Sequence, residues 1–332
     1  MQDITDLPFW RLMAQYGGPD VYFTEYFRVY SGSRLDRHIL RSITENPTGG
    51  PAVAQMIGND PAELVRTARE LQQQPVAAID LNLGCPAPVV YRKCAGGGLL
   101  REPDRIDRIL GALREAVSIP FTVKTRVGFD NPEGYDQLLA ILARHDLDLV
   151  TVHGRTVREM YRAPVHYDLI ARAVERLPCP VLANGNVHSG RHGWEVLRET
   201  GARGLMIGRG AIRNPWIFRQ FRSLAPGTAD APNAPVLPTG REVQAYIEAL
   251  FEATAAPGLT AISHVQRIKK HMNFLALGVD PSGEFLHHVR RVRTQADFFA
   301  LCREHLDHDR PMPLEPFELE LPSTDVLCGE HR

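Results

Sequence analysis

Short apolar runs rich in β-branched residues alternate along the chain with longer amphipathic segments. Seven of these runs have the length and composition of buried strands, and they lie at 21–24, 53–56, 79–83, 121–124, 149–153, 181–184 and 205–208. Between them, apolar positions with helical spacing predict helices at 61–71, 103–117, 135–144, 167–176 and 193–200. Because strands that alternate with helices pair in parallel, the pattern predicts an α/β fold with a parallel sheet.

Seven strands are one short of a TIM barrel with eight β/α units. Residues 1–6 have the pattern of a loop that leads into a helix at Leu7, so we expect a barrel whose first strand is truncated. After Phe221 a segment rich in Ala, Pro and Gly precedes helical patterns at 242–256, 261–277 and 285–306. We therefore predict a barrel domain over 1–223, a linker over 224–240, a helical bundle domain over 241–310 and a disordered acidic tail over 311–332.

The composition says more about the cellular compartment of the protein than about its function. The 332 residues are 44% hydrophobic and 23% charged, and no apolar run approaches the length of a membrane span. Five cysteines stand apart without a CxxC pair, which argues against a disulfide framework and against a zinc site. We therefore expect a cytoplasmic protein with no membrane partner and no metal.

Charge is distributed unevenly although the formal net charge is only −1. Residues 264–293 contain six Lys and Arg residues against two acidic ones. Such a segment is typical of an RNA-binding surface, and the alternative is a solvated basic helix face.

Polar residues follow nearly every predicted strand, where the carboxyl ends of barrel strands meet at one mouth. Singly, each of them is more typical of a structural or surface residue. Together they form a candidate site: Gln55, Asn82 with Cys85, Lys124 with Arg126, His153 with Arg155, the run Asn184-Gly185-Asn186, and Gly208-Arg209. The last two groups occupy the usual phosphate-binding loops of a barrel, and their alternative is two ordinary glycine turns.

Cys85 is the candidate reactive side chain, because an apolar strand delivers an amide, a glycine and a thiol together in Asn82-Leu83-Gly84-Cys85-Pro86. A thiol at this position can serve as a nucleophile or as an acid. Cys94 lies in a glycine-rich loop and is the weaker alternative.

The order and spacing of these motifs resemble the tRNA-dihydrouridine synthases over about two thirds of the chain. The residues that carry the resemblance are the opening Met1-Gln2-Asp3-Ile4-Thr5-Asp6, Ala54-Gln55, Asn82-Leu83-Gly84-Cys85-Pro86, Val123-Lys124-Thr125-Arg126, Val152-His153-Gly154-Arg155-Thr156, Ala183-Asn184-Gly185-Asn186, Ile207-Gly208-Arg209-Gly210-Ala211 and Asn214-Pro215. The resemblance implies a barrel that binds FMN, a helical tRNA-binding domain, and reduction of the C5–C6 bond of a D-loop uridine with NADPH as electron donor.

The resemblance also implies roles for single residues. Cys85 would protonate C5, because hydride addition at C6 builds enolate character that must be quenched. The implied FMN contacts are Met1, Gln55, Asn82, Lys124, His153, Asn184, Gly185, Asn186, Gly208 and Arg209. The implied RNA contacts are Arg126, Arg155, Arg267, Lys269, Lys270, Arg290 and Arg291. Residues 23–29 and 264–270 are similar to the C-type branch, which modifies position 16, and we expect a monomer.

Two other functions fit parts of the pattern. A barrel flavoprotein that reduces or oxidises a free pyrimidine, such as a dihydroorotate dehydrogenase, would share the amide-rich pocket but would not need a basic helical extension. A tRNA-binding protein without catalysis would fit a barrel that lacks a strand. The joint presence of Cys85, Lys124 and His153 argues against that second alternative.

Overall fold

The computed structural model describes residues 1–2, 4–225 and 236–316. Most of the predicted linker and residues 317–332 of the predicted tail lie outside the described residues. The described chain divides into two compact units. The first comprises residues Met1–Ala14, Gly18–Val187 and His192–Ile207, and the second comprises Gln15–Gly17, His188–Arg191 and the residues from Gly208 onward. The predicted domain boundaries stay a prediction.

The first unit alternates strands with helices. Its strands are β1 (Tyr22–Phe23), β2 (Phe27–Arg28), β3 (Ala52–Ile57), β4 (Ala78–Leu83), β5 (Phe121–Arg126), β6 (Leu149–His153), β7 (Val181–Asn184) and β8 (Gly204–Met206). Its helices are α1 (Leu7–Gln15), α2 (Arg37–Thr44), α3 (Pro61–Leu71), α4 (Pro88–Tyr91), α5 (Pro103–Ala116), α6 (Tyr135–Leu142), α7 (Tyr167–Arg176) and α8 (Gly190–Thr200), with a 3₁₀ turn at Gly96–Arg101. α1 and α8 each run into segments of the second unit.

All strand pairs in the sheet are parallel, in the order β1-β3-β4-β5-β6-β7-β8, and β2 pairs with β3 beyond β1. The described strands therefore form a TIM-barrel-like half-barrel, which confirms the predicted α/β class. Six predicted strands correspond to β3 to β8, and the seventh to β1. The two-residue strand β2 was not predicted, because the polar Thr24 and Glu25 end the apolar run before it and two residues show no periodicity. Between β1 and β2 the outer strand has one residue more than β3, since Phe23 pairs with Val53 and Phe27 with Met56.

The hydrophobic core lies between one face of the sheet and its helices. Met56, Leu81, Val123 and Val150 are neighbours in successive strands, and all of them are buried. The buried apolar residues of α3, α5, α6 and α7 belong to the same cluster as these strand residues. Helix α3 begins at a proline after the cap Asp60, whose carboxylate accepts from Glu63 N, a start that favours a helix in this position.

The second unit is helical. It contains α9 (Arg209–Arg213), α10 (Ile217–Ser223), α11 (Gly240–Ala253), α12 (Ala261–Leu275), a 3₁₀ turn at Ala276–Gly278, α13 (Glu284–Val289) and α14 (Gln295–Leu306). Its core includes Tyr246, whose hydroxyl donates to the carbonyl of Ile212, and the ring of Phe251, which stacks on Phe298.

The prediction of one helical segment over 285–306 is wrong, because residues 290–294 separate α13 from α14. The Lys269 ammonium binds the carbonyls of Arg290 and Val292, which replaces helical hydrogen bonds at this break. Thr294 then caps α14 by accepting from Asp297 N.

Candidate active site

Polar side chains cover the face of the half-barrel that is opposite the hydrophobic core. The strand register arranges them in three rows that we call the polar face: Gln55, Asp80 and Thr122 in the first row, Asn82, Lys124 and Thr151 in the second, and Arg126, His153 and Asn184 in the third. Each row crosses neighbouring strands, so residues that the chain separates by tens of positions become neighbours. Gln55, Asn82, Lys124, His153 and Asn184 were predicted as site residues, and the structure brings these five to one face.

Asn82 fixes the direction of the chain after β4. Its side-chain oxygen accepts from the backbone N–H of Gly84 at 3.0 Å and of Cys85 at 2.9 Å. Its amide nitrogen donates to Gln55 Oε1 at 2.8 Å. Because an Asx turn of this kind satisfies two backbone donors, it holds the Cys85 backbone at the edge of the polar face.

Asp80 forms the buried end of the same hydrogen-bond network. It accepts from Gln55 Nε2 at 2.8 Å and from Thr122 Oγ1 at 2.6 Å, and it is fully buried. Burial raises the pKa of Asp80 to about 6, although both hydrogen bonds and the Lys124 charge act in the opposite direction. A continuous chain of hydrogen bonds thus runs from Asp80 through Gln55 and Asn82 to Cys85.

Lys124 is half-buried and projects from the middle of the polar face. Desolvation, together with the nearby Arg126 charge, lowers the pKa of Lys124 to about 8, while Asp80 and Cys85 act in the opposite direction. Lys124 can therefore gain or lose its proton close to neutral pH. Such a group can stabilise a neighbouring group whose charge changes during a reaction.

Cys85 is half-buried, and Gly96 and Gly97 of the 3₁₀ turn pack directly against it. Gly96 has a φ of +54°, and a Cβ at this position would lie 3.0 Å from Cys85 Cβ and 2.9 Å from Ile57 Cδ1, so only glycine fits here. The thiol of Cys94 instead interacts with Glu102, where it contributes to lowering the pKa of that carboxyl group. Of the two thiols, Cys85 is the one that the polar network positions.

Arg126 and Arg155 are each only 1% exposed. Arg126 donates to the carbonyls of Gly84, Thr156 and Met160, and Arg155 to the carbonyl of Ala163 and to Asn186 Oδ1. These contacts give both arginines a role in holding the loops that surround the polar face. Their predicted contact with RNA stays a prediction that this burial does not favour.

The loop after β7 is held tightly by its own polar groups. Asn184 Nδ2 donates to the carbonyl of Met206 at 2.8 Å. Gly185 has a φ of +134°, and a Cβ at this position would lie 3.0 Å from Val165 and 3.2 Å from His153. Asn186 adopts a left-handed conformation with a φ of 47°. The predicted phosphate-binding role of these three residues stays a prediction.

Three further predicted contacts lie elsewhere in the chain. Gly208 precedes α9, whose first residue is Arg209, and both residues belong to the second unit. Met1 is 37% exposed, and its ammonium group donates to Thr5 Oγ1. Their predicted contacts with FMN stay predictions.

The basic residues of the second unit differ in their contacts. Lys269 Nζ donates to the carbonyl oxygens of Arg290 at 3.1 Å and Val292 at 2.6 Å, so it stabilises the break between α13 and α14. Arg290 donates to Asn273 Oδ1, and Arg291 donates to the carbonyl of His287. Lys270 is exposed, and Arg267 is half-buried. Lys270 is therefore a better candidate than Lys269 for an RNA contact.

Sequence reasoning missed Asp80, Thr122 and Thr151 as parts of the site. Asp80 and Thr122 precede Asn82 and Lys124 by two positions, and this polar alternation within apolar strands was the available signal.

Within residues 1–2, 4–225 and 236–316, no group of three or more His, Cys, Asp or Glu side chains has an arrangement that could hold a metal ion. In the same part of the chain, no helix combines the length and apolar character needed to cross a membrane.

Comparison with known proteins gives a consistent result. The family model "Dihydrouridine synthase (Dus)" matches residues 1–308. A tRNA-dihydrouridine synthase B from Xanthomonas axonopodis pv. citri is 33% identical over 313 residues, which cover 92% of this chain and 91% of that protein. A tRNA-dihydrouridine synthase B from Pasteurella multocida is 35% identical over 236 residues, which cover 68% of each chain.

Among solved structures, a complex of 2-naphthoyl-CoA reductase covers 67% of this chain and 47% of its own, with a TM-score of 0.51 and 12% identity. At this identity the similarity shows a shared fold alone.

Proposed function

This chain belongs to the dihydrouridine synthase family, and we propose that it is an FMN-dependent tRNA-dihydrouridine synthase that reduces the C5–C6 bond of a D-loop uridine with NADPH. The observation that carries the proposal is the position of Cys85. Asn82 holds its backbone at the edge of the polar face, and Lys124 is close enough to interact with its thiol electrostatically.

The polar face fits a flavin ring system in its chemistry. It presents amide, ammonium and imidazole donors from Gln55, Asn82, Lys124 and His153, and the buried hydroxyl of Thr151 beside Lys124 has no hydrogen-bond partner among the described residues. FMN would supply a hydride to uracil C6, and NADPH would recharge the flavin. In this proposal Lys124 stabilises negative charge on the ring system, and Asn184, Gly185 and Asn186 hold the phosphate.

Cys85 would deliver the proton that completes the reduction. Addition of hydride at C6 leaves an electron pair shared between C5 and O4, and the thiol S–H bond breaks as that pair takes the proton at C5. The sulfur retains a negative charge, which the nearby Lys124 ammonium stabilises. A proton from solvent then restores the thiol.

Basic residues of the second unit would bind the tRNA backbone. Because backbone contacts position a folded RNA without reading its sequence, the exposed Lys270, Arg290, Arg291 and Arg293 are the residues we assign to this role. The relatives reported above are described as type B, which favours that branch over the predicted C-type branch.

Absorption spectroscopy with matched cysteine variants tests the proposal. We expect the purified protein to show oxidised flavin bands that NADPH bleaches without oxygen and that unmodified tRNA restores. Cys85→Ala should bleach normally but form dihydrouridine at least about 100-fold more slowly, because it lacks the general acid. Cys94→Ala, which changes a thiol outside the polar network, should retain the wild-type rate.

The same experiment separates the alternatives. Recovery of the bands with a free pyrimidine but not with tRNA would support a dihydroorotate dehydrogenase-like enzyme. A colourless protein that takes up no FMN but binds tRNA would support an RNA-binding protein without catalysis.

A further inference from the structure

A chain of side-chain hydrogen bonds connects the buried carboxylate of Asp80 with the backbone of Cys85. Asp80 Oδ2 accepts from Gln55 Nε2 at 2.8 Å, and Gln55 Oε1 accepts from Asn82 Nδ2 at 2.8 Å. Asn82 Oδ1 then accepts from the N–H groups of Gly84 at 3.0 Å and of Cys85 at 2.9 Å. Two primary amides in series therefore separate a carboxylate from two backbone N–H groups.

The two ends of this chain of hydrogen bonds fix its direction. Backbone N–H groups only donate and an ionised carboxylate only accepts, whereas a primary amide can turn either its oxygen or its nitrogen to a neighbour. If Gln55 alone turned over, its nitrogen would face Asn82 Nδ2 and its oxygen would face the carboxylate of Asp80. If Asn82 turned over as well, the N–H groups of Gly84 and Cys85 would lose their acceptor. Only the observed direction gives every group a partner.

Asp80 is the acceptor on which the orientation of Gln55 depends. Its other oxygen, Oδ1, accepts from Thr122 Oγ1 at 2.6 Å, so the carboxylate is itself held between β3 and β5. Asp80 is 0% exposed, so bulk water cannot replace it as an acceptor. Removal of its oxygens would leave Gln55 without a preferred direction, and the next link, from Asn82 to Gln55, would weaken with it.

Cys85 is held at both of its backbone groups. Asn82 binds its N–H group, and its carbonyl oxygen accepts from Gly97 N at 3.1 Å. A Cβ at Gly97 would lie 2.9 Å from that oxygen, so the 3₁₀ turn approaches Cys85 closely. Because a misplacement of about 1 Å can slow a reaction strongly, both contacts matter to a thiol that must reach one carbon atom. Loss of the chain of hydrogen bonds from Asp80 would weaken one of these two constraints.

We propose that Asp80 is a positioning residue for Cys85: it sets the donor and acceptor direction of Gln55 and Asn82, and Asn82 in turn holds the Cys85 backbone. This inference rests on the proposed function, in which Cys85 delivers a proton to C5. Asp80 exchanges no proton with the substrate, and the chain of hydrogen bonds stays the same throughout the reaction. The oxygens of Asp80 act on the geometry of the site, and its charge is not required for this role.

Two substitutions of Asp80 separate the effect of its oxygens from that of its charge. In Asp80→Asn, the amide oxygen can still accept from Gln55 while the amide nitrogen donates to the Thr122 hydroxyl, which can accept as well as donate. Asp80→Leu has a similar volume but no acceptor. We expect Asp80→Leu to lower kcat for dihydrouridine formation about tenfold with an unchanged KM for tRNA, and Asp80→Asn to restore kcat to within about twofold of the wild type. An equal loss in the two variants, or an unchanged kcat in Asp80→Leu, would overturn the proposal.

Leu110→Ala controls for a general loss of stability. Leu110 is 0% exposed on α5 and belongs to the hydrophobic core rather than to the polar face. Its truncation should lower Tm, because it leaves a cavity in the core, and should retain the wild-type kcat at a temperature at which all variants are folded. A loss of kcat in Leu110→Ala as large as in Asp80→Leu would overturn the proposal, because lower stability would then explain both.

Hydrogen exchange provides a readout that does not depend on turnover. In the protein without FMN, NMR measures the exchange of the Gly84 and Cys85 N–H groups relative to that of the β5 amides. We expect this relative exchange to be about tenfold faster in Asp80→Leu and unchanged in Asp80→Asn and Leu110→Ala. Gln55→Met interrupts the next link and should accelerate the exchange of the same two groups, so the test holds even if Asp80→Leu does not fold.

The two kinds of measurement fail in different ways. Unchanged exchange of the Gly84 and Cys85 N–H groups in both Asp80→Leu and Gln55→Met contradicts the role of Asp80 even when the wild type is active. Absence of dihydrouridine with the wild type would instead overturn the proposed function itself.

Discussion

Asp80 holds a carboxyl group in a fully buried position, two residues before Asn82 on the same face of β4. Thr122 and Gln55 provide one hydrogen bond each, which reduces the cost of burying the ionised form without removing it. The result is a group whose charge destabilises the fold while its oxygens orient Gln55. Such a cost is typical of functional sites, where geometry is retained at the expense of stability.

Replacing Asp80 by Asn should change how stability depends on pH. The pKa of Asp80 rises from 3.8 in the unfolded chain to about 6 in the native state, so the native state binds its proton more tightly. Its stabilising contribution is therefore present below pH 4 and is lost as the pH rises through 6. Urea unfolding should show Asp80→Asn gaining on the order of 2–3 kcal/mol relative to wild type between pH 4 and pH 7. A constant difference between the two proteins across this range would contradict the assignment.

Asn82 should be the most sensitive amide of the network. Asn82→Ala leaves Gly84 N–H, Cys85 N–H and Gln55 Oε1 without their partner, which should destabilise the protein by about 2–4 kcal/mol. Asn82→Asp retains the acceptor for both N–H groups and loses the donor to Gln55, and the carboxylate it adds lies beside the Lys124 ammonium on β5, which offsets its charge. Thermal unfolding should rank wild type above Asn82→Asp and Asn82→Asp above Asn82→Ala. Equal losses in the two variants would show that the Asx turn contributes little.

At the scale of elements, Arg126 connects β5 to the end of β4 and to the loop after β6. Its guanidinium binds carbonyls that belong to residues 84, 156 and 160, so one planar group holds two separate loops. A lysine cannot reproduce this arrangement, because its ammonium is a single donor centre. Arg126 also lies in the same row as His153. Its contacts with the two loops are therefore at the border of the polar face.

Arg126→Met should loosen the loop after β6 as well as destabilise the fold. We expect a loss of about 2–4 kcal/mol and faster trypsin cleavage after Arg158 and Arg162, because the carbonyls in this loop lose their shared donor. The control is Arg144→Met, since the Arg144 side chain is 61% exposed and should contribute less than about 1 kcal/mol. Unchanged cleavage in Arg126→Met would show that other contacts hold this loop.

Much of this arrangement was readable from the sequence, and the remainder depends on contacts that periodicity does not encode. Apolar runs located β3 to β8 within a few residues, and strand ends pointed to Gln55, Asn82, Lys124 and His153. By contrast, the sequence predicts that an arginine at the end of a strand is exposed. Only the three-dimensional position of its acceptors shows that Arg126 is buried. The break between α13 and α14 was likewise hidden, because Lys269 on another helix satisfies its carbonyls.

At the scale of the whole molecule, the chain combines a polar face in one unit with a locally basic segment in the other, while its formal net charge stays at −1. Binding to tRNA through backbone phosphates depends on local charge rather than on net charge, and it weakens as salt increases. The basic residues also differ in their contacts. Lys269 donates to a carbonyl of its own unit and stabilises it, and Lys270 faces solvent.

Adjacent lysines on α12 should therefore separate stability from RNA binding. Lys270→Gln should weaken tRNA binding and reduce the slope of log affinity against log salt by about 0.7–0.9, with an unchanged Tm. Lys269→Gln should lower Tm, because the carbonyls of Arg290 and Val292 lose their donor. Binding titrations at several salt concentrations and thermal unfolding of both variants provide the measurement. Equal effects of the two substitutions on both quantities would contradict this division.

The extra residue between β1 and β2 also has a consequence for how this sequence can change over time. Because β1 and β2 are only two residues each and out of step with one another, they form a poor template for a strand from another molecule. Deleting one residue here would bring β1 and β2 into one register along β3 and so straighten this edge. A straight edge pairs more readily with a strand of another molecule, so we expect this short segment to accept substitutions far more readily than changes in length.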